Sequence, residues 1–333
     1  MLYTYSRANN TEPEETVHKK LSPYLFDCSG LHNLVVREEN SPINELSKLI
    51  IGSKPIDGGH YIFTDEEREW FLKEEPEALS LLRPFIGTRE FLQGKKRWIL
   101  ALHATSPSLL AKLPKVRKRI AAVRDYRKAS KSRPTQKLAE TPTLYHVNVI
   151  PKDLFLVIPE VNSERREYVP IGWLEPPIIP SNLVRVLENA TLIDFALLTS
   201  AMHMTWLRYI GGRLGNSYRY SIGLIYNTFP TPPKDADISK LGPLAQSILE
   251  ARNAHPNVTL ADLYDPDLMP PNLRRAHKTL DLAVDRLYRR AGFTSEHERI
   301  EHLFTLYEKM RLPLEGKMKS RKRRKKQGKQ DKT

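Results

Sequence analysis

Residues 211–233, GGRLGNSYRYSIGLIYNTFPTPP, alternate aromatic or aliphatic side chains with small or polar ones. In an extended strand, this period of two places the two sets on opposite faces. An arginine on the polar face can donate two parallel hydrogen bonds to O6 and N7 of guanine, a contact worth about 1–3 kcal/mol of base discrimination. The alternative is that Arg213 and Arg219 only join two parts of the protein through salt bridges. The apolar face carries Tyr218, Tyr220, Ile222, Leu224 and Tyr226, and the polar face carries Gly215, Ser217, Arg219, Ser221 and Gly223.

Residues 113–133, LPKVRKRIAAVRDYRKASKSR, are strongly basic and have the period of a helix. At 100° per residue, four of the cations fall within a band about 60° wide beside an apolar stripe. Such a helix docks through its stripe and lays the cations along one phosphate strand. A solvated basic face is the alternative. The cations are Arg117, Arg124, Lys128 and Lys131, and the stripe is Val116, Ile120 and Val123.

The positive charge is concentrated in two segments. Residues 112–137 hold eleven basic residues and one acidic residue, and residues 317–332 hold ten and one, which leaves −5 of the net +14 for the rest of the chain. This segregation is typical of a polyanion-binding surface, because each neutralised phosphate releases condensed counterions. For the tail, a disordered basic extension that only adds non-specific affinity is the alternative.

Length and composition exclude several classes of protein. A chain of 333 residues, 40% of them hydrophobic, can bury a sizeable core and fits two lobes. The sequence has no apolar run of 18 residues and no signal pattern at its amino terminus, so we expect no membrane span and a cytoplasmic location. The single cysteine, Cys28, excludes an internal disulfide and a zinc-finger fold.

Other residues with chemical potential have simpler explanations. His203 lies in a nearly all-apolar helical pattern and is expected to be a core histidine. His297 and His302 are five residues apart, whereas two metal ligands on one helix face are four apart. Asp281 and Asp285 share a helix face among basic residues, and intrahelical pairing accounts for them. We therefore expect no catalytic and no metal site. The basic neighbours of the two aspartates are Lys278, Arg286 and Arg289.

The elements that must position these residues fall into two lobes. In the first, two apolar runs flank the turn-forming residues 57–59, which predicts a hairpin or a strand-loop-strand unit. Thr64 and Glu67 then form a capping box that begins a helix. Further strands are predicted near residues 97–102, 144–150, 153–160 and 167–173.

From about residue 190 the apolar period becomes 3.6, apart from the strand-like insert at 211–226. Residues 191–210 are apolar almost all round, which predicts one buried helix that Gly211 ends as a C-cap. Further helices are predicted at 239–254, 272–291 and 295–310, the last beginning at a capping box of Ser295 and Glu298.

Three stretches of the sequence resemble one family of proteins. GSKPIDGGHYIFTDEE, followed by RPFIGTREFLQGKKRW, is similar to the start of the target-recognition domain of MmeI-like (type IIL) restriction-modification DNA methyltransferases. LLTSAMHMTWLRYIGGRLGNSYRYSIGLIYNTFPTPP resembles the segment that joins this domain to the carboxyl-terminal helices, and LYDPDLMPPNLRRAHKTLDLAVDRLY resembles the closing helical region. The stretches follow the family's order and spacing, and the resemblance runs from about residue 20 to 310.

Full-length members of that family join a nuclease, a helical spacer, an S-adenosylmethionine-dependent adenine-N6 methyltransferase core, the recognition domain and the helical region. The resemblance covers the last two parts. The base-pocket motif N-P-P-[YF] and the glycine-rich turn GxGxxG are both absent from these 333 residues. We therefore expect no catalytic or cofactor-binding residue here, with S-adenosylmethionine bound by a separately encoded methyltransferase half. A split-gene remnant is the alternative.

The resemblance also implies that the variable positions between GRL and RYS read bases, which are Gly215, Ser217 and Arg219 in this sequence. Arg213 and the four cations of the basic helix are then expected on the DNA backbone. The expected partner is double-stranded DNA, and no membrane. Two other functions stay open, a non-specific basic nucleic-acid-binding protein and a metal-dependent nuclease that uses carboxylates such as Asp57 and Asp65.

The expected fold class is α+β. A mixed α/β target-recognition lobe is followed by a mainly helical C-terminal lobe and a disordered basic tail. The expected boundaries are a loosely ordered first segment at 1–40, the recognition domain at 41–230, the helical domain at 231–315 and the tail at 316–333.

Overall fold

The computed structural model describes residues 2–4, 12, 14–17, 20–25, 35–44 and 46–311. Cys28 and the predicted basic tail lie outside these residues. No helix in the described ranges is long and apolar enough to span a bilayer. The strands are β1 (Leu2–Thr4), β2 (Glu14–Thr16), β3 (Ile50–Ile51), β4 (Ile62–Phe63), β5 (Leu82–Ile86), β6 (Trp98–Leu100), β7 (Phe155–Pro159), β8 (Val161–Asn162), β9 (Gly172–Leu174), β10 (Ile179–Pro180), β11 (Val184–Glu188), β12 (Gly212–Leu214) and β13 (Ser217–Arg219). The α-helices are α1 (Asp65–Glu74), α2 (Thr88–Gln93), α3 (Pro107–Ala111), α4 (Pro114–Lys128), α5 (Arg133–Lys137), α6 (Leu192–Thr199), α7 (Ala201–Ile210), α8 (Leu241–Asn253), α9 (Leu260–Leu263), α10 (Pro271–Tyr288) and α11 (296–311). Two 3-10 helices at Pro76–Leu81 and Leu138–Glu140 and a π-helical turn at Ile222–Tyr226 complete the described elements.

The first part of the mixed lobe is a four-stranded sheet in the order β10-β5-β6-β4. β10 is parallel to β5, and the other neighbours are antiparallel. The predicted capping box begins α1, since Thr64 Oγ1 accepts from the Glu67 amide and the Glu67 carboxylate accepts from the Thr64 amide. The sheet, α1 and α4 share one core, which includes Phe63, Phe71 and Val116.

The second sheet has the order β3-β11-β7-β9 and is antiparallel throughout. All five residues of its central strand β7 are buried. Phe155 and Val157 contribute to a small core on one face, and Leu156 and Ile158 contribute to the main core on the other. A strand that is covered on both faces has a continuous run of apolar residues in its sequence, and DLFLVIPE contains such a run.

The main core joins the second sheet to the helices that follow it. Besides the residues of the sheet, its buried members come from α6, α7, α8, α10 and α11, with Trp206 and Leu273 among those of zero exposure. The predicted fold class, a mixed α/β lobe followed by a mainly helical lobe, is therefore confirmed. The second sheet and the helical lobe share this core, whereas the first sheet has a core of its own.

The single buried helix predicted over 191–210 is wrong, because the chain forms α6 and α7 with a break at Ser200. Ser200 has an extended conformation (φ −75°, ψ 159°). Its hydroxyl donates to the Leu197 carbonyl at 2.7 Å and accepts from the His203 amide at 3.3 Å. A serine that offers the backbone such bonds competes with helix continuation. Gly211 does end α7, but with an extended backbone (φ −66°) and not in the left-handed region.

Two strand predictions also need correction. The apolar runs that flank residues 57–59 do not form a hairpin, because β3 pairs with β11 and β4 pairs with β6 in a different sheet. The strand-loop-strand alternative describes them correctly. Residues 144–150 form no strand, and a single bridge between Val147 and Lys54 is their only ladder contact among the described residues.

Candidate nucleic-acid interface

The β12–β13 hairpin is an exposed, narrow element at the end of the recognition lobe. Gly212 pairs with Arg219, and Leu214 pairs with Ser217. The two-residue turn begins at Gly215, whose φ of 58° lies in the left-handed region that favours glycine. On its other side β13 pairs with β8, so the hairpin is anchored along one edge. Gly212 to Asn216 are all exposed.

The hairpin corrects the prediction of one long strand over residues 215–226. The alternation holds from 217 to 220, where Tyr218 and Tyr220 are buried and Arg219 is exposed. Gly215 lies in the turn and not on the strand face that carries Ser217 and Arg219. Beyond Ser221 the chain enters the π-helical turn Ile222–Tyr226, so the period of two ends there.

One nitrogen of the Arg219 guanidinium is paired with a carboxylate, and the other two are available for hydrogen bonds. Its Nε lies 3.2 Å from Glu160 Oε1, and the same oxygen lies 2.7 Å from Arg185 Nη2. The Arg219 side chain is 61% exposed, whereas the Glu160 side chain is 13% exposed. Nη1 and Nη2 of Arg219 have no hydrogen-bond partner among the described residues, so the fork that pairs with guanine is available.

The salt-bridge alternative is therefore half correct. Arg219 does form an ion pair, but Arg213 pairs with no carboxylate in the described part of the chain. Its guanidinium stacks on the Tyr218 ring at 4.0 Å, and its Nη1 donates to the Asn216 carbonyl at 3.1 Å. This stacking holds the Arg213 cation at the surface of the hairpin, beside the turn.

A buried polar contact between Tyr220 and His203 lies next to β13. Tyr220 donates its amide to the Glu160 carbonyl at 2.7 Å, and its hydroxyl lies 2.8 Å from His203 Nε2. His203 is completely buried, and burial lowers its pKa to about 3, so the imidazole is neutral. His203 is therefore a core histidine, as predicted, and its Nε2 has a hydrogen-bond partner. His203 Nδ1 has no partner among the described residues.

The basic helix α4 is shorter than predicted. The stripe of Val116, Ile120 and Val123 is buried in the core of the first sheet, and Arg117, Arg124 and Lys128 are exposed. Lys131 lies beyond the last helical residue, Lys128, so it is exposed but does not extend the helical row of cations. α5 begins two residues later, after Ser132.

A groove of about 1040 Å³ runs beside α4. Its lining comes from α3, α4 and residues 140–144. Arg117, Lys118 and Arg124 contribute cations to it, and Glu140 contributes one carboxylate. The groove is therefore open, predominantly positive and continuous with the exposed face of α4.

Arg127 belongs to the basic segment 113–133, but its side chain is buried in the protein. It is 0% exposed, and its Nε and Nη2 donate to the carbonyls of Ile56 and Pro55 at 2.9 and 2.8 Å. Its other bonds go to the carbonyls of Leu138, Thr141 and Leu144. Arg127 follows Val116 by eleven residues, which returns it to the apolar stripe at 100° per residue. That register was the available signal.

The loop held by Arg127 has an unusual backbone. Ile56 has a φ of 50°, rare for a β-branched residue, and Gly58 and Gly59 have φ values of 64° and 86°. Asp57 is buried, and its Oδ2 accepts from the Tyr61 amide at 2.8 Å. A Cβ at Gly58 would lie 2.8 Å from the Tyr126 ring, so the loop packs closely against the carboxyl end of α4.

The carboxylates considered for catalysis serve the interior or pair locally. Asp65 accepts from Trp98 Nε1 at 2.5 Å and lies 3.5 Å from Lys96 Nζ. No group of three or more His, Cys, Asp or Glu side chains placed to hold a metal ion occurs within the described ranges. Asp57 is accounted for by its bond to the Tyr61 amide.

The prediction that Asp281 and Asp285 pair within their own helix is wrong. Asp281 accepts from the Tyr168 hydroxyl at 2.6 Å and from the Ala201 amide at 2.7 Å. Asp285 pairs with Arg299 of α11 at 2.6 and 3.0 Å. Both carboxylates are buried, and burial raises the pKa of Asp281 to about 6. They tie α10 to the recognition lobe, to α7 and to α11.

Comparison with known proteins identifies the family. The family model of the MmeI target recognition domain matches residues 30–233, and that of the MmeI C-terminal domain matches residues 233–315. The chain therefore belongs to the MmeI family, as its target recognition domain followed by its C-terminal domain. The resemblance drawn from the three sequence stretches is confirmed.

Two relatives place this part within larger proteins. DNA methyltransferase A of Bacillus subtilis (strain 168) is 37% identical over 292 residues, which are 87% of this chain and 33% of that protein. The structure of the type IIL restriction-modification enzyme MmeI in complex with DNA superposes with a TM-score of 0.86 at 38% identity, over 92% of this chain and 41% of MmeI. The chain thus spans a third to two fifths of these relatives.

Proposed function

We propose that this chain recognises a specific sequence in double-stranded DNA, as the recognition part of an MmeI-like adenine-N6 methyltransferase or restriction enzyme. The observation that carries the proposal is the exposed β12–β13 hairpin with the open fork of Arg219. Supporting it, the chain superposes at a TM-score of 0.86 on a protein whose structure contains DNA.

The interface divides into base and backbone contacts. Arg219 offers Nη1 and Nη2 to a guanine edge while Glu160 restrains its Nε, so little side-chain entropy is lost on binding. Ser217 shares its strand face, and Gly215 lies at the exposed turn, where the backbone itself can approach a base. Arg213 contacts the phosphate backbone beside the turn. The row on α4 does the same at a second place, through Arg117, Arg124 and Lys128, and Lys131 does so three residues beyond the helix.

Methyl transfer itself is assigned to residues outside this sequence. We propose that a methyltransferase half binds S-adenosylmethionine and flips the target adenine in the cytoplasm, while this chain supplies the register on the duplex. In this arrangement the chain acts in trans with that half. A split-gene remnant would retain DNA binding without a functional partner.

The test is selection of bound duplexes from a random-sequence pool at about 0.15 M salt, where counterion release does not swamp base readout. The proposal expects enrichment of a short asymmetric motif by the full chain. Removal of residues 317–333 should weaken binding and keep the motif. If instead that removal abolishes binding, and the full chain enriches no motif even with a methyltransferase half supplied, the protein is a non-specific polyelectrolyte binder.

The same selection with the variant Arg219→Ala tests whether Arg219 reads a base, and Arg83→Ala is its matched control. Arg83 is also exposed and on a strand, but it belongs to β5 of the first sheet. We expect Arg219→Ala to lose the preference at one base pair and Arg83→Ala to retain it. Equal motifs for both variants would exclude Arg219 as a base reader.

A further inference from the structure

α10 carries a second row of cations on its exposed face. Arg275, Lys278 and Arg286 are all exposed, and at 100° per residue they fall within a band about 80° wide. At 1.5 Å per residue, the row from Arg275 to Arg286 spans about 16 Å. A duplex presents one phosphate charge for about every 1.7 Å of its axis, so roughly ten phosphates lie along that distance.

These cations are not neutralised by the acidic residues of their own helix. The sequence suggests pairing with Asp281 and Asp285, but both carboxylates point into the protein and are engaged there. Asp281 bonds Tyr168 and the Ala201 amide, and Asp285 bonds Arg299. Within the described part of the chain, no carboxylate lies within pairing distance of the row.

Three acidic residues of the neighbouring helix α11 are also engaged elsewhere. Glu296 pairs with Arg208 at 2.8 Å, and Glu298 pairs with Arg289 at 2.7 Å. Glu301 lies 3.2 Å from His297. The positive charge of the α10 row is therefore directed at solvent. A row of this kind without internal counter-charges is complementary to a polyanion.

α10 also contacts the segment that follows β8, the strand beside the proposed reading hairpin. Arg274, the neighbour of Arg275, pairs with Glu167, which follows β8 by five residues. Tyr168, the next residue, bonds Asp281 of α10 at 2.6 Å. Because β8 pairs with β13, the segment 161–168 contacts both α10 and the hairpin that carries Arg219.

We propose that Arg275, Lys278 and Arg286 bind phosphates of the recognised duplex outside the base pairs that the hairpin reads. The C-terminal domain is then a sequence-independent clamp, an inference that rests on the proposed function. Its contribution is electrostatic, so it sets affinity and the position of the duplex without contributing to base preference.

The experiment compares the full chain with the variant Arg275→Gln, Lys278→Gln, Arg286→Gln. Binding to a duplex carrying the selected motif is measured between about 50 and 200 mM salt. Each lost phosphate contact lowers the slope of log Kd against log salt by about 0.9, so we expect a decrease of about 2 to 3. The motif enriched from a random pool should be unchanged, and circular dichroism should show retained helix.

The matched control removes three exposed lysines from other surfaces, Lys73→Gln, Lys95→Gln and Lys152→Gln. It changes the net charge equally and should leave the slope nearly unaltered. If the α10 variant and this control show the same slope, the clamp does not exist, and an acidic protein partner becomes the better occupant of the row. That result leaves the proposed function intact as long as the full chain still enriches a motif, whereas a full chain without a motif fails the proposed function itself.

A second arm varies the duplex. Ten added base pairs on each side of the motif should increase the affinity of the full chain and of the control variant, but not that of the α10 variant. An equal gain for all three proteins overturns the assignment of the row to flanking DNA.

Discussion

Arg127→Met should lower the free energy of unfolding by about 3 kcal/mol. Methionine keeps a long side chain in the core but removes the donors that Arg127 offers to the five carbonyls. The carbonyls of Leu138 and Thr141 keep a second donor, from the Thr141 amide at 3.3 Å and the Leu144 amide at 3.1 Å. Those of Pro55, Ile56 and Leu144 accept from no other donor in the described residues. Three unsatisfied acceptors at about 1 kcal/mol each give the expected loss.

The assay is equilibrium unfolding in urea, with the midpoint converted at a common slope. Arg117→Met is the matched control, since it makes the same change on the exposed face of the same helix and should alter stability by less than about 0.5 kcal/mol. The Tyr61 amide donates a hydrogen bond to Asp57 inside the loop, and its hydrogen exchange should accelerate in Arg127→Met only. A stability loss below about 1 kcal/mol, with exchange unchanged, would refute the assignment of Arg127 as the residue that fastens this loop.

Three further perturbations test the packing and the second DNA contact. Asp281 has a folded-state pKa of about 6, above its unfolded value, so its contribution to stability is full below pH 4 and is lost as the pH rises through 6. In urea unfolding, Asp281→Asn should therefore remove about 3 kcal/mol of the pH dependence of stability. Parallel plots of stability against pH for both proteins between pH 4 and 7 would contradict this. Gly58→Ala should cost about 1 kcal/mol more than Gly59→Ala, because both residues have positive φ but only the Cβ at Gly58 meets Tyr126; thermal unfolding measures the difference, and equal losses would show that the ring moves freely. Neutralising the α4 row should weaken binding to all duplexes alike and lower the salt slope, and a change in the selected motif would instead place these side chains at bases. The row variant is Arg117→Gln, Arg124→Gln, Lys128→Gln.

The sequence predicts the local elements of this protein well where one physical signal dominates. The capping box at Thr64 begins α1 as expected, and the apolar run of DLFLVIPE forms β7, buried on both faces. The stripe on α4 is buried at all three predicted positions. In each case short-range hydrogen bonding or periodicity determines the outcome, and both are visible without knowledge of tertiary contacts.

The failures come from competition that only the tertiary structure resolves. Ser200 can continue a helix or cap a new one, and in the structure its hydroxyl accepts from the His203 amide and caps α7. Arg127 and Asp281 carry charges that propensity assigns to the surface. They are buried because each finds several partners distant in sequence, which spacing along one helix does not reveal.

The candidate site shows the same division. Alternation from Ser217 to Tyr220 correctly separates the buried tyrosines from exposed Arg219. The turn at Gly215 breaks the longer strand, although its glycine and the following asparagine are typical turn residues. Glu160 was not predicted, because its contact with Arg219 spans 59 residues and depends on the pairing of β8 with β13.

The most direct test of DNA recognition is the dissociation constant for the selected site and for each single-base substitution of it, measured for the full chain, Arg219→Ala and Arg219→Lys. The lysine variant keeps the charge but not the planar fork. We predict that both variants lose about 1–3 kcal/mol of discrimination at one guanine-containing base pair and keep it at the others. A uniform loss of affinity across all sites in Arg219→Ala, with full affinity and discrimination in Arg219→Lys, would contradict base reading by Arg219 and leave it a phosphate contact.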